Sequence, residues 1–399
     1  MLAPPPVQAV TEPELVASFL ELDHGLHHVA IEARREMAGL ARVSAPSWEV
    51  RGLREESTGG AAAFTTEVLS LAVGLELGQR NAIERRRALA ELAAEELMHR
   101  AELIDAVSEL RGLILVAWRA EREVELREAG LRRVRSLLGE LTRLVDAGEH
   151  ARFDLQRLRA LAAAQDVELR LVRADVKSSH AELATLSGRE VTWVELAPAS
   201  LEPGREDGLV ERVRQEHPIL AMLRNQLEAE DLAVELAGRS HPGRIALRGG
   251  FRRDDVPAGP RGEGYELELG YVLPSQSLRR LEQARARHDR AERDLSLAHA
   301  ERHVTAELES ALARLAALAD IGTPDELDVE SLREGSLRRY RSGESSVTEL
   351  ADVLVGLQER ELLQLEVETA AHEARLDLDR ITGLLTEPRL GRLLEELME

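Results

Sequence analysis

The 399-residue chain contains no cysteine and very few aromatic residues. The absence of cysteine excludes disulfide bonds, thiolate metal sites and a thiol nucleophile. Aromatic residues make up only 3% of the chain, whereas hydrophobic residues make up 44% and charged residues 31%. A chain rich in leucine, alanine, glutamate and arginine but poor in aromatics is typical of long helices packed through aliphatic stripes, and not of ordinary globular domains.

The sequence also lacks an excess of positive charge and a long apolar run. Its 52 basic and 73 acidic residues give a formal net charge of −21, which argues against nucleic acid as a partner. No run of 18 apolar residues occurs, so no transmembrane helix is expected. A β-barrel in a membrane is not excluded, because each of its strands needs only about ten residues that alternate between apolar and polar. Residues 1–12 carry no basic, apolar signal pattern and no lipobox cysteine, so we expect a leader or linker there.

Proline is absent from the sequence between Pro46 and Pro198, and this absence permits very long helices. An interior proline would destabilise a helix by about 3 kcal/mol. Aliphatic residues recur at helical spacing from Gln79 to Ala147, which predicts a helix roughly 100 Å long. We expect Gly148 to end this helix and a second helix to return over residues 151–187. Helices of this length are expected in a coiled-coil hairpin or a helical tunnel.

The second half of the sequence repeats the first. Gly148 and Gly188 recur as Gly343 and Gly383, at an offset of 195 residues. This period is too long for a solenoid and indicates a duplication. We expect two structural repeats, 13–210 and 211–386, followed by a tail over 387–399. Each repeat is predicted to contain a helix, two strands and a long helical hairpin, which turns at residue 148 in the first and 343 in the second.

Four short segments alternate between apolar and polar residues, which predicts strands over about 46–54, 64–77, 244–252 and 265–273. One face is apolar and aromatic, and the other is polar or charged. In a soluble sheet the apolar face would be buried, whereas in a membrane barrel it would face lipid and the polar face would line the lumen. The apolar strand residues are Leu69, Leu71, Val73, Leu75, Ile245, Leu247, Phe251, Tyr265, Leu267, Leu269, Tyr271 and Leu273. The polar strand residues are Ser70, Arg244, Arg248, Arg252, Glu266 and Glu268.

The sequence has its helices, strands and glycine turns in the same duplicated order as the TolC-type outer-membrane efflux protein family, which it resembles. Members of this family are the outer membrane factors of tripartite systems. The duplicated turn segments, residues 145–155 and 340–354, carry the resemblance, together with the strand-to-helix passages 75–80 and 271–280. The closing segments 184–188 and 379–385 extend it, so it covers about residues 12–386. Val145 stands where the family usually has an aromatic residue, and Glu349 where aspartate is commoner.

The resemblance implies a mainly helical chain with a β-barrel part, placed in the bacterial outer membrane with its helices in the periplasm. Three protomers would close a twelve-stranded barrel above a helical tunnel. The tunnel would meet a periplasmic adaptor (a membrane fusion protein) and, through it, an inner-membrane pump. The chain would conduct small molecules or ions passively, as the exit duct of a tripartite efflux or type I secretion-like system, without enzymatic activity, cofactor or metal.

The resemblance also assigns roles to the hairpin turns. Glu349 and Asp352 fall where some family members carry carboxylates that narrow the closed periplasmic entrance. The tips of the hairpins would contact the adaptor, and the matching residues are Gly148, Glu149, Asp154, Ser342, Gly343 and Glu344.

Two alternatives remain at the level of sequence. The first is a soluble coiled-coil scaffold whose strands form a small capping sheet. The second is a channel specialised for heavy-metal cations, which would differ only in cargo. His299 and His303 have the four-residue spacing of a metal-binding pair, but a catalytic zinc usually needs three protein ligands. We therefore expect both to be solvated helix positions.

Overall fold

The computed structural model describes residues 10–20, 47–57, 64–76, 80–147, 152–197, 208–239, 244–255, 262–272, 276–321 and 329–383. The chain divides into two compact units. Unit 1 comprises Met1–His28, Arg100–His217 and Arg302–Glu399, and unit 2 comprises Val29–His99 and Pro218–Glu301.

Long helices account for most of the described residues. Residues 12–20 are helical, and the further helices are α1 (Arg80–Asp146), α2 (Arg152–Ser187), α3 (Leu209–Glu216), α4 (Pro218–Arg239), α5 (Gln276–Ile321), α6 (Val329–Arg341) and α7 (Val347–Ile381). Gly188 and Gly383 follow α2 and α7 with positive φ angles of 65° and 64°. A left-handed residue after a helix is a common C-terminal cap, and glycine adopts it without steric cost.

The second repeat differs from the expected order of elements. A single long helix before the turn at residue 343 was expected, by analogy with the 67-residue α1. The structure has two helices there, α5 and α6. The sequence between them contains Gly322 and Pro324, and both residue types are poor in helix interiors, proline because it lacks an amide hydrogen. Within the described residues, no helix is both long and apolar enough to cross a membrane.

Unit 2 contains an antiparallel sheet of four strands. The strands of this sheet are β2 (Ser47–Ser57), β3 (Phe64–Glu76), β5 (Arg244–Asp255) and β6 (Gly262–Val272), in the order β2-β3-β5-β6. β2 and β5 end three residues later than expected and β6 begins three earlier, because strand pairing continues into charged and glycine residues where the apolar alternation has stopped. A short parallel pair in unit 1, β1 (Val10–Thr11) with β4 (Val194–Glu195), was not expected.

Two hydrophobic clusters form the core of unit 1. The first surrounds residues 103–118 of α1 and includes Leu15 and Leu20 from the N-terminal helical segment. The second lies near the hairpin turns, where Leu137 and Leu141 of α1 pack with Leu158 of α2 and with the start of α7. Aliphatic residues dominate both clusters, as the composition predicts.

Candidate functional site

The strand register places the apolar strand residues on one face of the sheet. Directly paired residues in an antiparallel sheet point to the same side. Leu69, Phe251 and Tyr265 form one such row, and the rows headed by Leu71, Val73 and Leu75 follow it along the strands. Leu273 lies outside the described residues. The described side chains of this face are exposed, with Tyr265 91% exposed, Leu267 79% and Leu269 71%. A contiguous exposed apolar surface of this kind marks a membrane or a partner.

Aromatic and charged residues lie at one end of this face, where β5 ends and β6 begins. The rings of Phe251 and Tyr265 are 5.7 Å apart in an edge-to-face arrangement. In the next row, Glu67 pairs in register with Arg253, and Arg253 with Glu263. The apolar face therefore stops abruptly at the aromatic row. Sequence reasoning missed the charged row because the strands now seen as β5 and β6 were predicted to stop short of Arg253 and Glu263.

The opposite face of the sheet carries the polar strand residues. Arg248 pairs in register with Glu268, and its Nη1 donates to Glu268 Oε2 over 3.1 Å. Arg252, Glu266 and Glu268 are exposed, and Arg244 lies in the same register as this set. Ser70 differs from the others because it is buried. It lies against Gly250, where an added Cβ would approach the Ser70 Cβ to 3.2 Å.

The turn between α6 and α7 contains three of the expected tip residues. Ser342, Gly343 and Glu344 are exposed. The Gly343 amide donates to the Tyr340 carbonyl over 3.1 Å and the Glu344 amide to the Arg339 carbonyl over 2.9 Å. The φ of Gly343 is 78°, a conformation that favours glycine. In the first hairpin, Asp154 lies in the first turn of α2, whereas Gly148 and Glu149 lie outside the described residues.

The expected gate residues lie in the first turns of α7, and both are exposed. Ser346 is the N-cap residue of α7. Its Oγ accepts a hydrogen bond from the Glu349 amide over 3.2 Å, and Glu349 Oε2 accepts one from the Ser346 amide over 3.0 Å. This reciprocal capping box satisfies two amide hydrogens of the helix end. Glu349 therefore has a local structural role, while Asp352 is one turn further along the helix.

Buried polar contacts in unit 1 were not found from sequence. The Gln165 side chain of α2 donates to Gln358 Oε1 of α7 over 2.6 Å, and both residues are buried. These two glutamines are 193 residues apart, close to the offset of the duplication. That spacing was the available signal, but it identifies equivalent positions and does not show that they touch.

A second buried contact joins three separate segments. Glu121 of α1 is 2% exposed. Its Oε1 lies 2.5 Å from His180 Nε2 of α2, and its carboxylate accepts from the Val194 amide over 3.1 Å. Burial raises the pKa of Glu121, while the Val194 amide and His180 act in the opposite direction. The Glu121 carboxylate of α1 therefore contacts both β4 and α2.

The histidine pair of α5 is solvated, since His299 and His303 are both exposed. The His303 Nδ1 lies 3.3 Å from Glu307 Oε2, one turn along the same helix. Within the described ranges, no group of three or more histidine and carboxylate side chains could hold a metal ion.

No protein-family model matches the sequence, and no curated protein matches it significantly. Solved structures do match it. CusC, described as forming a transmembrane channel, has a TM-score of 0.75 at 14% identity over 93% of this chain and 91% of its own. The outer membrane protein VceC of Vibrio cholerae has a TM-score of 0.73 at 15% identity over 93% and 96%. The outer membrane channel CmeC of Campylobacter jejuni has 0.73 at 12% over 97% and 89%.

The chain therefore has the fold of these outer-membrane proteins. The predicted fold class, long helical hairpins with four strands in each chain, is confirmed.

Proposed function

We propose that this chain is the outer-membrane channel of a tripartite efflux or type I secretion-like system, a passive exit duct without catalytic activity. The observation that carries the proposal is a four-stranded sheet with an exposed apolar face, joined to helices as long as 67 residues. The shared fold with the channels CusC and CmeC supports it. The sheet would lie in the bacterial outer membrane and the helices in the periplasm.

The exposed leucines favour a membrane channel over a soluble scaffold. Leu267 and Leu269 are among the most exposed apolar residues of the described chain. Burial of apolar surface is favourable by about 25 cal/mol per Å², so a soluble capping sheet would cover them. Lipid provides that cover for a membrane-inserted sheet.

The open edges of the sheet support a homotrimer. β2 and β6 lie at the two edges of the four-stranded sheet. Unpaired strand edges are not tolerated in lipid, because their amide and carbonyl groups find no partners there. Four strands are too few to close a barrel, whereas three copies supply twelve. We propose that β2 of one copy pairs with β6 of the next.

The exposed face of α2 supports the same trimeric assembly. Buried residues such as Leu158 and Leu169 lie on one face of this helix. The opposite face has small or apolar exposed residues at alternating spacings of three and four, which is the pattern of a coiled-coil seam. We propose that a helix of the neighbouring copy packs on this α2 seam. Its residues are Ala160, Ala164, Val167, Leu171, Ala174, Ser178, Ala181 and Thr185.

The hairpin turns are the proposed contact surface for a periplasmic adaptor, which would link the channel to an inner-membrane pump. Ser342, Gly343 and Glu344 are exposed and fixed by backbone hydrogen bonds, so they would present a preformed surface. Glu349 and Asp352 lie one helical turn apart on α7, close to this tip. We propose that they ring the periplasmic entrance in the trimer.

Assembly and conductance of the purified full chain test this proposal. Membrane fractionation should recover the protein with membranes, light scattering in detergent should give a trimer, and a planar bilayer should show discrete conductance steps. Leu171→Glu, in the α2 seam, should reduce the trimer fraction. Lys177→Glu, which is exposed on the same helix but off the seam, should leave it unchanged. A folded monomer that stays in the soluble fraction would overturn the proposal.

A further inference from the structure

Arginines are concentrated on the two helices that follow the sheet in unit 2. Residues 80–87 of α1 contain four arginines and one glutamate, and residues 279–287 of α5 contain the same numbers. Each stretch is therefore clearly basic, in a chain whose net charge is −21. This local excess of positive charge has no part in the proposed gate, hairpin tips or α2 seam.

Five of these eight side chains have no counter-charge among the described residues. Arg87 pairs with Glu91 over 2.9 Å, and Arg279 donates to the Gly238 carbonyl. The side chain of Arg80 lies outside the described part of the structure. The remaining five are exposed, and among the described residues their side chains form no ion pair or hydrogen bond. We call them the arginine belt: Arg85, Arg86, Arg280, Arg285 and Arg287. Because no ion pair within the described part of the chain neutralises them, the belt is complementary to an anionic surface.

The arginine belt directly follows the ends of the strands. Three residues separate the end of β3 at Glu76 from the start of α1 at Arg80, and three separate Val272 of β6 from Gln276 of α5. With a rise of 1.5 Å per residue, the belt lies between about 6 and 17 Å along the helices from their first residues. The belt arginines thus begin nine residues after the end of β3 and eight residues after the end of β6, two of the strands that carry the exposed apolar face.

We propose that the arginine belt binds the phosphates of anionic phospholipid headgroups in the leaflet on the helix side of the membrane. The proposal rests on the proposed function, because the sheet must enter a membrane for the belt to reach headgroups. The planar guanidinium forms two parallel hydrogen bonds to a phosphate, so arginine suits this ligand better than lysine. Apolar rows in the hydrocarbon and arginines in the headgroup layer together fix the depth of insertion.

Lipid discrimination by the detergent-solubilised full chain tests the belt. Fluorescent phosphatidylglycerol or phosphatidylcholine in mixed micelles is titrated with protein, and binding is followed by anisotropy. The wild type should bind phosphatidylglycerol more tightly, and the preference should shrink in about 0.5 M salt because salt screens exposed charges. The triple variant Arg85→Gln, Arg280→Gln, Arg287→Gln should bind phosphatidylglycerol about a hundredfold more weakly, since each arginine near an anionic surface contributes about fivefold.

A matched variant distinguishes the effect of losing belt arginines from the effect of a lower net positive charge. Arg152→Gln, Arg159→Gln, Arg339→Gln removes the same charge from exposed arginines of unit 1 and should retain the wild-type preference. An equal loss in both triple variants, or no loss in either, would refute the belt, as would competition by inorganic phosphate alone. Circular dichroism confirms that each variant is folded. Normal conductance with no lipid preference would defeat the belt alone, whereas a chain that never enters bilayers would defeat the proposed function.

Discussion

At the scale of single residues, the ion pair between Arg111 and Asp379 is the most deeply buried charge contact described in unit 1. Arg111 Nη1 lies 2.9 Å from Asp379 Oδ2, and Asp379 is fully buried. Arg111 also contacts Glu12 of the N-terminal segment. Asp379→Ala should lower the free energy of unfolding by about 3–5 kcal/mol, because it leaves a buried guanidinium with one partner fewer. Chemical unfolding in detergent measures this effect.

The matched control for Asp379 is the exposed pair of Arg314 with Glu373, which are 3.3 Å apart and about half exposed. Glu373→Ala should change the free energy of unfolding by no more than about 1 kcal/mol. Equal effects of the two variants would show that the buried pair is no more important than a surface pair.

We expect His217 to make stability depend on pH. The residue follows α3 and is buried. Burial lowers its pKa, Asp105 and Glu307 act to raise it, and Arg380 lowers it further. A histidine with a depressed pKa stabilises the fold above its unfolded pKa of about 6.5, and this stabilisation is lost as pH falls through the folded value. Between about pH 7 and pH 5, unfolding midpoints should therefore fall further in the wild type than in His217→Gln. Parallel decreases would contradict this role.

At the scale of elements, the contact between Gln165 and Gln358 depends on a glycine in α1. A Cβ added at Gly130 would lie 2.6 Å from Gln358 Oε1, whereas one added at Gly139, on the same helix, would meet nothing within 4 Å. Alanine is favoured over glycine in a helix interior by about 1 kcal/mol, so Gly139→Ala should be stabilising. Gly130→Ala should instead destabilise by about 1–3 kcal/mol, because it displaces a buried, hydrogen-bonded side chain. If Gly130→Ala and Gly139→Ala both stabilised the protein, the predicted effect of Gly130→Ala would be wrong.

The elements themselves were largely predictable from sequence. Helical periodicity and the absence of proline predicted α1 and α2, and period-two alternation predicted four strands, because both patterns are local. Strand ends were less predictable, since Arg253 and Glu263 pair across strands without any apolar alternation. The contact of Gln165 with Gln358 was not predictable, because periodicity identifies the buried face of each helix but not the residue that it meets on another.

At the scale of the whole molecule, the two faces of the sheet should respond differently to charge. Leu267 lies on the exposed apolar face and its neighbour Glu266 on the polar face. Leu267→Arg should cost about 2–4 kcal/mol in lipid near the bilayer midplane and reduce the yield of membrane-inserted trimer. Glu266→Arg should leave assembly intact and change ion selectivity. Ser70 is unsuitable for this comparison because it is buried beside Gly250.

Equal yields of inserted trimer from Leu267→Arg and Glu266→Arg would contradict the assignment of the apolar face to lipid. Lipid and water both lie outside the protein, so side chains that face either of them are exposed in a single chain. Only the chemistry of the residues and the response to a charge distinguish the two.

Glu349 and Asp352 have a proposed role in a channel entrance, and this role can be tested separately from the helix cap. In a trimer, Glu349 and Asp352 would place six carboxylates around the opening, and unit charges about 6 Å apart repel by roughly 3 kcal/mol at an effective dielectric of 20. Such a ring should attract cations, and multivalent cations should block it.

Glutamine also serves in a capping box, so Glu349→Gln with Asp352→Asn removes the charge but keeps the cap at Ser346. Single-channel recording should then show loss of cation preference and of multivalent block. Ser346→Ala, by contrast, should reduce stability by about 1 kcal/mol and retain both. Unchanged selectivity in the double variant would leave Glu349 as a helix cap and Asp352 as a solvated residue.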